Sequence, residues 1–212
     1  MSDASIPGIA HYFTDLARLG SAAIVTRQDG QMAALDELAT WTIATGRAAH
    51  ADGKKLMFIG NGGSASIASH MAVDYSKNGG MRALAFNDGA FLTCIANDFG
   101  YDNVFAKQIE LHASPGDLLV AISSSGKSAS ILNAVAAARE RSTSVLTMSG
   151  FEPTNPLRQL GDYNLYIPSS SYGFVEIGHL AVCHCILDTA MGWGTDPAFD
   201  RIGRATHAVG RA

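Results

Sequence analysis

The sequence has little charge and no long hydrophobic run. Only 16% of its 212 residues are charged and the formal net charge is −4, so no basic surface indicates a nucleic-acid-binding protein. No stretch reaches the roughly 18 apolar residues of a membrane span. The opening MSDASIPGIAHYF has neither the basic region nor the long apolar region of a signal peptide. These absences predict a soluble, cytoplasmic protein without nucleic-acid or membrane partners.

Cysteine is also scarce. The three cysteines are Cys94, Cys183 and Cys185, and no two of them form a CxxC pair. Each stands among apolar residues, which predicts reduced thiols buried in the core rather than a disulfide framework. The chain is 47% hydrophobic, which is enough for one globular domain with an added helical arm.

Two hydrophobic patterns divide the chain. Residues 7–28 and 33–51 carry apolar residues at helical spacing, which predicts two amphipathic helices. Further along, short apolar runs alternate with helical stretches, a pattern typical of a parallel sheet covered by helices on both faces. The predicted strands are 56–60, 82–86, 117–123, 143–148 and 163–168, and the predicted helices are 64–77, 89–96, 101–111, 127–141, 153–160 and 174–192.

These patterns predict an α/β domain with two additions. An N-terminal helical arm covers 1–52, the α/β domain covers 53–192, and a tail without clear periodicity covers 193–212. The two N-terminal helices have a wide apolar stripe and no strand of their own to cover. Packing against a second copy would bury that stripe, so we expect a homo-oligomer with a helical bundle at its interface.

Two loops rich in glycine and serine each follow a predicted strand and precede a helix. Residues 60–64 read GNGGS, and residues 123–128 read SSSGKS. Open α/β sheets bind ligands at the carboxyl ends of their strands. Small residues let the backbone approach a ligand, the N–H groups at the next helix start favour an anion, and serine hydroxyls add uncharged donors. The pair of loops predicts a phosphate site.

Two nucleotide-binding motifs fit this region less well. The dinucleotide fingerprint GxGxxG is matched only weakly, because residues 60–65 read GNGGSA with alanine at the last glycine. The Walker A motif fails, because Ala121 stands where its first glycine belongs. One loop alone is equally compatible with an ordinary tight turn, and the presence of two such loops is what favours a phosphate ligand.

Five segments in a fixed order resemble the sugar isomerase (SIS) domain family. They are GNGGSA, His70 six residues after Ser64, IANDFGYDNVFAKQ (95–108), GDLLVAISSSGKS (116–128) and EIGHLAVCH (176–184). Over about 35–192 the chain is most similar to the sedoheptulose-7-phosphate isomerases, also called phosphoheptose isomerases. The resemblance implies an α/β/α sandwich with a five-stranded parallel sheet (the SIS fold), and a homotetramer around a helical bundle with sites shared between subunits.

The resemblance also implies which residues bind the sugar phosphate. In the family, the serine-rich loop binds the phosphate, and an Asn-Asp pair lies near the sugar hydroxyls. Carried over position by position, the implied substrate-binding residues are Asn61, Gly62, Gly63, Ser64, Asn97, Asp98, Ser123, Ser125 and Ser128.

Two histidines and two carboxylates form a second candidate group. His70 and Asp74 are four residues apart on one helix face, and Glu176 and His184 are eight apart, loosely on one side of another helix. This set has the composition of a tetrahedral zinc site. In the phosphoheptose isomerases the matching residues are His, Glu, Gln and His, which bind zinc in some members. The expected ligands of one zinc ion per subunit are His70, Asp74, Glu176 and His184.

The sequence departs from the family at two of these positions, since Asp74 replaces a glutamate and Glu176 replaces a glutamine. Asp74 is shorter by one methylene, and Glu176 adds a negative charge that favours a cation. The expected catalytic residues are a carboxylate base, either Asp74 or Glu176, and His184 as the acid/base that moves protons between the sugar oxygens.

Three functions follow from these residues. The first is an isomerase that converts sedoheptulose 7-phosphate to D-glycero-D-manno-heptose 7-phosphate through an enediol, for heptose and surface polysaccharide synthesis. The second is an SIS isomerase of another sugar phosphate, which the altered acids allow. The third is a non-catalytic SIS protein that binds a sugar phosphate and a protein partner. Four ionisable residues persist at the candidate site, and this favours an enzyme.

Overall fold

A computed structural model describes residues 8–195, which form one seven-stranded sheet between two layers of helices. The strands are β1 (Ile24–Arg27), β2 (Met32–Ala33), β3 (Leu56–Gly60), β4 (Ala83–Ala85), β5 (Leu118–Ser123), β6 (Ser144–Ser149) and β7 (Tyr163–Tyr166). The helices are α1 (Ile9–Ala17), α2 (Leu19–Ala22), α3 (Leu35–Ala51), α4 (Gly63–Lys77), α5 (Gly89–Phe99), α6 (Ala106–His112), α7 (Ala129–Glu140) and α8 (Tyr172–Met191), with 3₁₀ helices at Tyr101–Asn103 and Pro156–Gln159. The strand order is β2-β1-β7-β6-β5-β3-β4.

The parallel part of the sheet is the part that the sequence predicts. Strands β3 to β7 pair in parallel, and all five lie within one or two residues of their predicted bounds. Strands β3 and β5 are buried at every residue, which explains their uninterrupted apolar runs. The expected α/β sandwich is confirmed, but the sheet has seven strands rather than five.

The N-terminal region contains strands where the sequence pattern predicts helix. The predicted helix 7–28 is the short pair α1 and α2, and the next residues form the hairpin β1–β2, whose first strand pairs antiparallel with β7. Ile24, Val25 and Thr26 are β-branched and fit a pleated strand better than a helix. Gly30 turns the hairpin with φ +82. The domain boundary expected at residue 52 would therefore separate strand β1, which lies in the N-terminal arm, from β7, the strand with which it pairs.

The two faces of the sheet carry two separate hydrophobic layers. Alternate residues of each strand point to opposite faces, so Phe58 of β3 packs with α3, α4 and α8, while Ile59 packs with α6 and α7. Helices α5 and α6 and the first 3₁₀ helix cover the second face together with α7. This three-layered arrangement leaves the carboxyl ends of the parallel strands free to carry loops.

A buried carboxylate, Asp117, joins the amino ends of two central strands, opposite the carboxyl ends that carry these loops. Asp117 has no exposed surface, and its oxygens accept hydrogen bonds from Lys55 N at 2.9 Å, Lys55 Nζ at 2.7 Å and Ser114 N at 2.7 Å. Lys55 precedes β3 and Asp117 precedes β5, so this carboxylate holds together the starts of the two central strands. Its four lone-pair sites are largely used, which is the condition under which a buried charge is tolerated.

Helix α8 is the most apolar helix of the described residues. By length and composition alone it meets the criterion for a membrane-crossing helix, although Glu176, His179, His184 and Asp188 interrupt its apolar residues. Its apolar residues Val175, Val182 and Ile186 belong to the core cluster that packs on the sheet, and α8 also contacts α3 and α4. The helix therefore packs one apolar face on the sheet. Only 39% of its most apolar window is buried.

His179 lies on α8 and is fully buried. Its Nε2 lies 3.1 Å from the carbonyl oxygen of Ser149 in β6. Burial lowers the pKa of His179 from 6.5 to about 4, because the interior disfavours the charged ring. The residue packs within the fold, with its ring against β6.

His179 is expected to make the protein less stable in mild acid. Between pH 6.5 and pH 4 the unfolded chain binds a proton at this histidine and the folded chain does not, so stability falls as the pH falls through that range. Wild type should lose about 2–3 kcal/mol more than His179→Gln between pH 7.5 and pH 4.5. Urea denaturation of both proteins at the two pH values measures this difference. Equal losses would mean that His179 does not control the acid sensitivity.

Candidate active site

The two glycine- and serine-rich loops meet at the point where the strand order reverses direction. β3 is followed by β4 on one side of the sheet and β5 by β6 on the other, and β3 and β5 are neighbours. This switch point is where open α/β sheets form a ligand crevice. A cavity of about 250 Å³ lies there, lined by Asn61, Gly62, Gly63, Ser64, Ile122, Ser123, Ser124, Ser125, Ser128, Tyr172 and Glu176. Seven of the nine predicted substrate-binding residues are among them.

The serine loop presents hydroxyls from a rigid turn. Ser123 Oγ lies 3.3 Å from Ser128 Oγ, and Ser128 is the residue that caps the start of α7. Gly126 turns the loop with φ +63, and a Cβ at this position would lie 1.9 Å from Asn155 Oδ1. Asn155 is itself buried and donates to the Glu152 carbonyl at 2.8 Å. The turn therefore requires glycine, which holds the hydroxyls at a fixed spacing.

Ser124 is a cavity residue that the sequence interpretation missed. Its side chain is buried, it lines the cavity, and no group within residues 8–195 forms a hydrogen bond with its Oγ. A buried hydroxyl without a partner is costly, and a ligand oxygen would satisfy it. The family pattern names the serines on either side of Ser124, and only the burial of its hydroxyl identifies it.

The glycine loop is shaped by close contact with Glu176 of α8. A Cβ on Gly63 would lie 2.4 Å from the carboxylate oxygens of Glu176. Gly62 precedes it with φ +55, a conformation that side chains rarely adopt. The two glycines thus allow α8 to approach the start of α4, and they bring the Glu176 carboxylate to the cavity wall.

Among residues 8–195, Glu176 is the only charged side chain that lines the cavity. The other lining residues of the described chain are amide, hydroxyl, glycine or apolar residues, so neither lysine nor arginine is among them. A phosphate bound here would be held by hydroxyls and backbone N–H groups, with a carboxylate close by. A carboxylate at this place would repel a bound phosphate and so weaken its binding to the cavity.

Three of the four expected metal ligands lie together where α4 packs against α8. Ligand atoms of His70, Asp74 and His184 all lie within 4.8 Å of one another. Asp74 Oδ2 lies 3.1 Å from His70 Nε2 and 3.9 Å from His184 Nδ1, and the two imidazole centroids are 5.1 Å apart. Two imidazoles and one carboxylate at such distances match the donor set of a catalytic zinc site with an open fourth position. We call these three residues the His–Asp–His cluster.

The fourth expected ligand, Glu176, does not join the His–Asp–His cluster within the protomer. It stands eight residues before His184 on α8, which corresponds to about 12 Å along the helix axis. The spacing of eight residues places Glu176 and His184 loosely on one side of α8, as predicted. The Glu176 side chain, however, extends toward Gly63 at the start of α4. The structure therefore places Glu176 at the cavity and not in the group of side chains that could hold a metal.

The cavity and the His–Asp–His cluster lie along one contact line between α4 and α8. Gly63, His70 and Asp74 are separated by seven and four residues, so they share one face of α4. Gly63 meets Glu176 near the start of α8, and Asp74 meets His184 two turns further on. None of the three cluster residues is among the residues that line the cavity, so the two groups occupy separate places along this line.

The predicted Asn-Asp pair lies outside the cavity lining. Asn97 and Asp98 are exposed at the end of α5, and Asn97 Nδ2 donates to Asp98 Oδ1 at 2.8 Å. The same segment reaches the cavity through a different residue, because Tyr101 Oη donates to Asn61 Oδ1 at 2.8 Å. Tyr101 itself does not line the cavity, but it contacts the lining residue Asn61, whereas Asn97 and Asp98 are not among the lining residues.

The cysteines differ from the sequence expectation in their exposure. Cys94 and Cys185 are exposed, and only Cys183 is buried. Burial raises the pKa of the Cys183 thiol to about 12, which keeps it protonated and unreactive. Cys94 and Cys185 are surface positions on α5 and α8, and the prediction that all three thiols are buried is wrong for these two.

Comparison with known proteins defines the class first. A family model described as the SIS domain matches residues 11–150, which is well over half of the chain. The chain therefore belongs to the SIS domain family. Strands β1 to β6 and both the glycine and the serine loop lie in the matched region, whereas β7 and α8, which carries Glu176 and His184, lie beyond it.

Within that family, the chain is similar to phosphoheptose isomerases. It is 40% identical over 183 residues to the phosphoheptose isomerase of Bradyrhizobium sp. strain ORS 278, covering 82% of this chain and 89% of that protein. It is 41% identical over 146 residues to that of Thiobacillus denitrificans, covering 65% and 74%. The structure of phosphoheptose isomerase GmhA from Neisseria gonorrhoeae superimposes with a TM-score of 0.73 and 28% identity, over 86% of this chain and 97% of that one.

Proposed function

We propose that this protein is a phosphoheptose isomerase that converts sedoheptulose 7-phosphate to D-glycero-D-manno-heptose 7-phosphate. The observation that carries the proposal is the arrangement along α4 and α8, with a hydroxyl-lined cavity at one end and the His–Asp–His cluster two turns away. A seven-carbon sugar 7-phosphate has its phosphate and its carbonyl at opposite ends. Such a substrate offers one group to the cavity and another to the His–Asp–His cluster.

The chemistry is an exchange of protons between two carbons and two oxygens through an enediol. A base removes a proton from C1 of the ketose, a proton moves from O1 to O2, and the base returns a proton to C2. We assign the carbon base to Asp74, because its carboxylate lies beside His184, whose imidazole suits the transfer between oxygens. The serine hydroxyls anchor the phosphate far from the reacting carbons and supply binding energy.

We further propose zinc as the metal of the His–Asp–His cluster, one ion per subunit. His70, Asp74 and His184 would hold it, and the fourth position would be open to the substrate. When bound, the ion would supply polarisation of the sugar carbonyl and stabilise negative charge on the enediolate oxygen. Glu176 is left out of this ligand set, because it lies at the cavity instead.

The protein is proposed to act as a cytoplasmic homotetramer. Helix α1 has no buried residue, and its apolar side chains Ile9 and Phe13 are 78% and 60% exposed. The exposed apolar surface of α8 adds to this face, since Ile177 and Met191 are 39% and 43% exposed. Apolar surface of this extent supports burial against further copies of the chain. The other proposed partner is the phosphorylated sugar substrate.

A second candidate is an isomerase of the same class that acts on another sugar phosphate. The observation that favours it is Glu176, a carboxylate in a cavity that otherwise suits a phosphate. A charge at this position changes which substrate group is tolerated beside the glycine loop. A non-catalytic, sugar-phosphate-binding role is the third candidate. It is the least favoured of the three, because binding alone does not require the assembled His–Asp–His cluster.

Proton exchange in D₂O tests the proposal directly. Sedoheptulose 7-phosphate incubated with the enzyme in D₂O should gain deuterium at C1 and form an aldose with deuterium at C2, both detected by NMR. Pretreatment with a zinc chelator should abolish both signals, and added zinc should restore them. If folded, zinc-loaded protein gives neither signal, the phosphoheptose assignment is wrong, and a panel of other ketose phosphates separates the second candidate from the third.

A further inference from the structure

We propose that Tyr101 is a positioning residue that sets the shape of the phosphate cavity by acting through Asn61. The inference rests on the proposed function, since it assigns a role at the same site. Tyr101 Oη donates to Asn61 Oδ1 at 2.8 Å, and Asn61 Nδ2 donates to Ser130 Oγ at 3.0 Å. Three segments that are distant in the sequence are joined by these two bonds.

Both polar atoms of the Asn61 amide are engaged within the protein. Asn61 belongs to the loop after β3, and Ser130 lies in the first turn of α7, directly after the serine loop. The amide therefore spans the two walls of the cavity and holds them at one separation. Asn61, expected from the family pattern to bind substrate, is better described as the brace between the two phosphate-binding loops.

The position of Tyr101 makes its hydroxyl the important group. The residue is 59% exposed, so its ring has little packing to lose, and Gly100 with φ +82 turns the chain to present it. A separate bond, from Asn133 Nδ2 to the Asp102 carbonyl at 2.9 Å, fastens the same 3₁₀ helix to α7 without involving Asn61. The chain thus offers a matched control for the local anchoring of this helix.

The test compares Tyr101→Phe with Asn133→Ala. Removing the tyrosine hydroxyl frees Asn61 Oδ1 and should raise KM for sedoheptulose 7-phosphate about three- to tenfold, with kcat changed less than twofold. The dissociation constant of inorganic phosphate, measured by calorimetry, should rise by the same factor. Asn133→Ala weakens the anchoring of the same 3₁₀ helix and should change both constants less than twofold.

A double-mutant cycle shows whether Tyr101 acts through Asn61. In an Asn61→Ala background, Tyr101→Phe should have no further effect on KM or on phosphate binding. Additive effects, or an Asn133→Ala effect as large as that of Tyr101→Phe, would overturn the proposal. If wild type proves inactive on every sugar phosphate, the proposed function fails, while phosphate binding by the same variants still decides the role of Tyr101.

Discussion

Replacing Asp74 with asparagine should lower kcat for sedoheptulose 7-phosphate about a thousandfold, because the amide retains the size of the side chain but cannot accept a proton from carbon. The side chain lies against both His70 and His184, so the substitution removes the one carboxylate of the His–Asp–His cluster. Steady-state kinetics measure the loss. Far-UV circular dichroism and the zinc content of each preparation separate lost chemistry from lost structure and from lost metal.

Glu176→Gln is the matched partner of this experiment, because it makes the same carboxylate-to-amide change at the other candidate base. Glu176 is the only charge in the cavity lining of the described chain, and its removal should relieve repulsion of the substrate phosphate. We expect KM to fall about fivefold while kcat stays within tenfold of wild type. A thousandfold loss of kcat in Glu176→Gln but not in Asp74→Asn would identify Glu176 as the base.

Asp117→Ala should lower the free energy of unfolding by about 3–5 kcal/mol, the largest single effect expected outside the site. The substitution removes the acceptor of two backbone N–H groups and of the Lys55 ammonium, and the Lys55 side chain is only 21% exposed. Urea denaturation at neutral pH measures the change. The loss should also appear in the fold as a whole, because the starts of β3 and β5 lose their common anchor.

Asp162 offers the control for Asp117. It has the same kind of partners, since it accepts from Val145 N at 2.7 Å and Arg139 Nη1 at 2.7 Å, but its side chain is 28% exposed. Water can replace part of what Asp162→Ala removes, so we expect a loss of about 1–2 kcal/mol. Equal losses in the two variants would show that burial does not determine the contribution of Asp117.

The parallel sheet was predictable because its strands are buried on both faces. The strand 118–123 is buried at every residue and is apolar from Leu118 to Ile122, and that signal does not depend on its neighbours. The strand at 24–27 was not predictable, because only one of its residues is buried and its existence depends on pairing with β7. Its sequence neighbours carry apolar residues at spacings that match a helix equally well.

The site was predictable to the extent that a motif fixes a backbone. The loops at 60–64 and 123–128 have the same order of small residues as the family and form the cavity. Helical spacing placed His70 with Asp74, but it gave no direction to Glu176, whose carboxylate reaches a glycine on another helix. Ser124 and Tyr101 could not be predicted from the sequence, because a buried hydroxyl and a long-range hydrogen bond in the folded chain identify them.

The hairpin β1–β2 also covers the edge of β7, which could otherwise pair with a strand of another chain. Without it, β7 would end the sheet with four residues of unpaired N–H and C=O groups, an open template for pairing with another chain. The hairpin occupies that edge and ends in the two-residue strand β2, and the opposite edge is the three-residue strand β4. Both edges of the described sheet are therefore short strands, which leaves little backbone for edge-to-edge pairing between newly made copies of the chain.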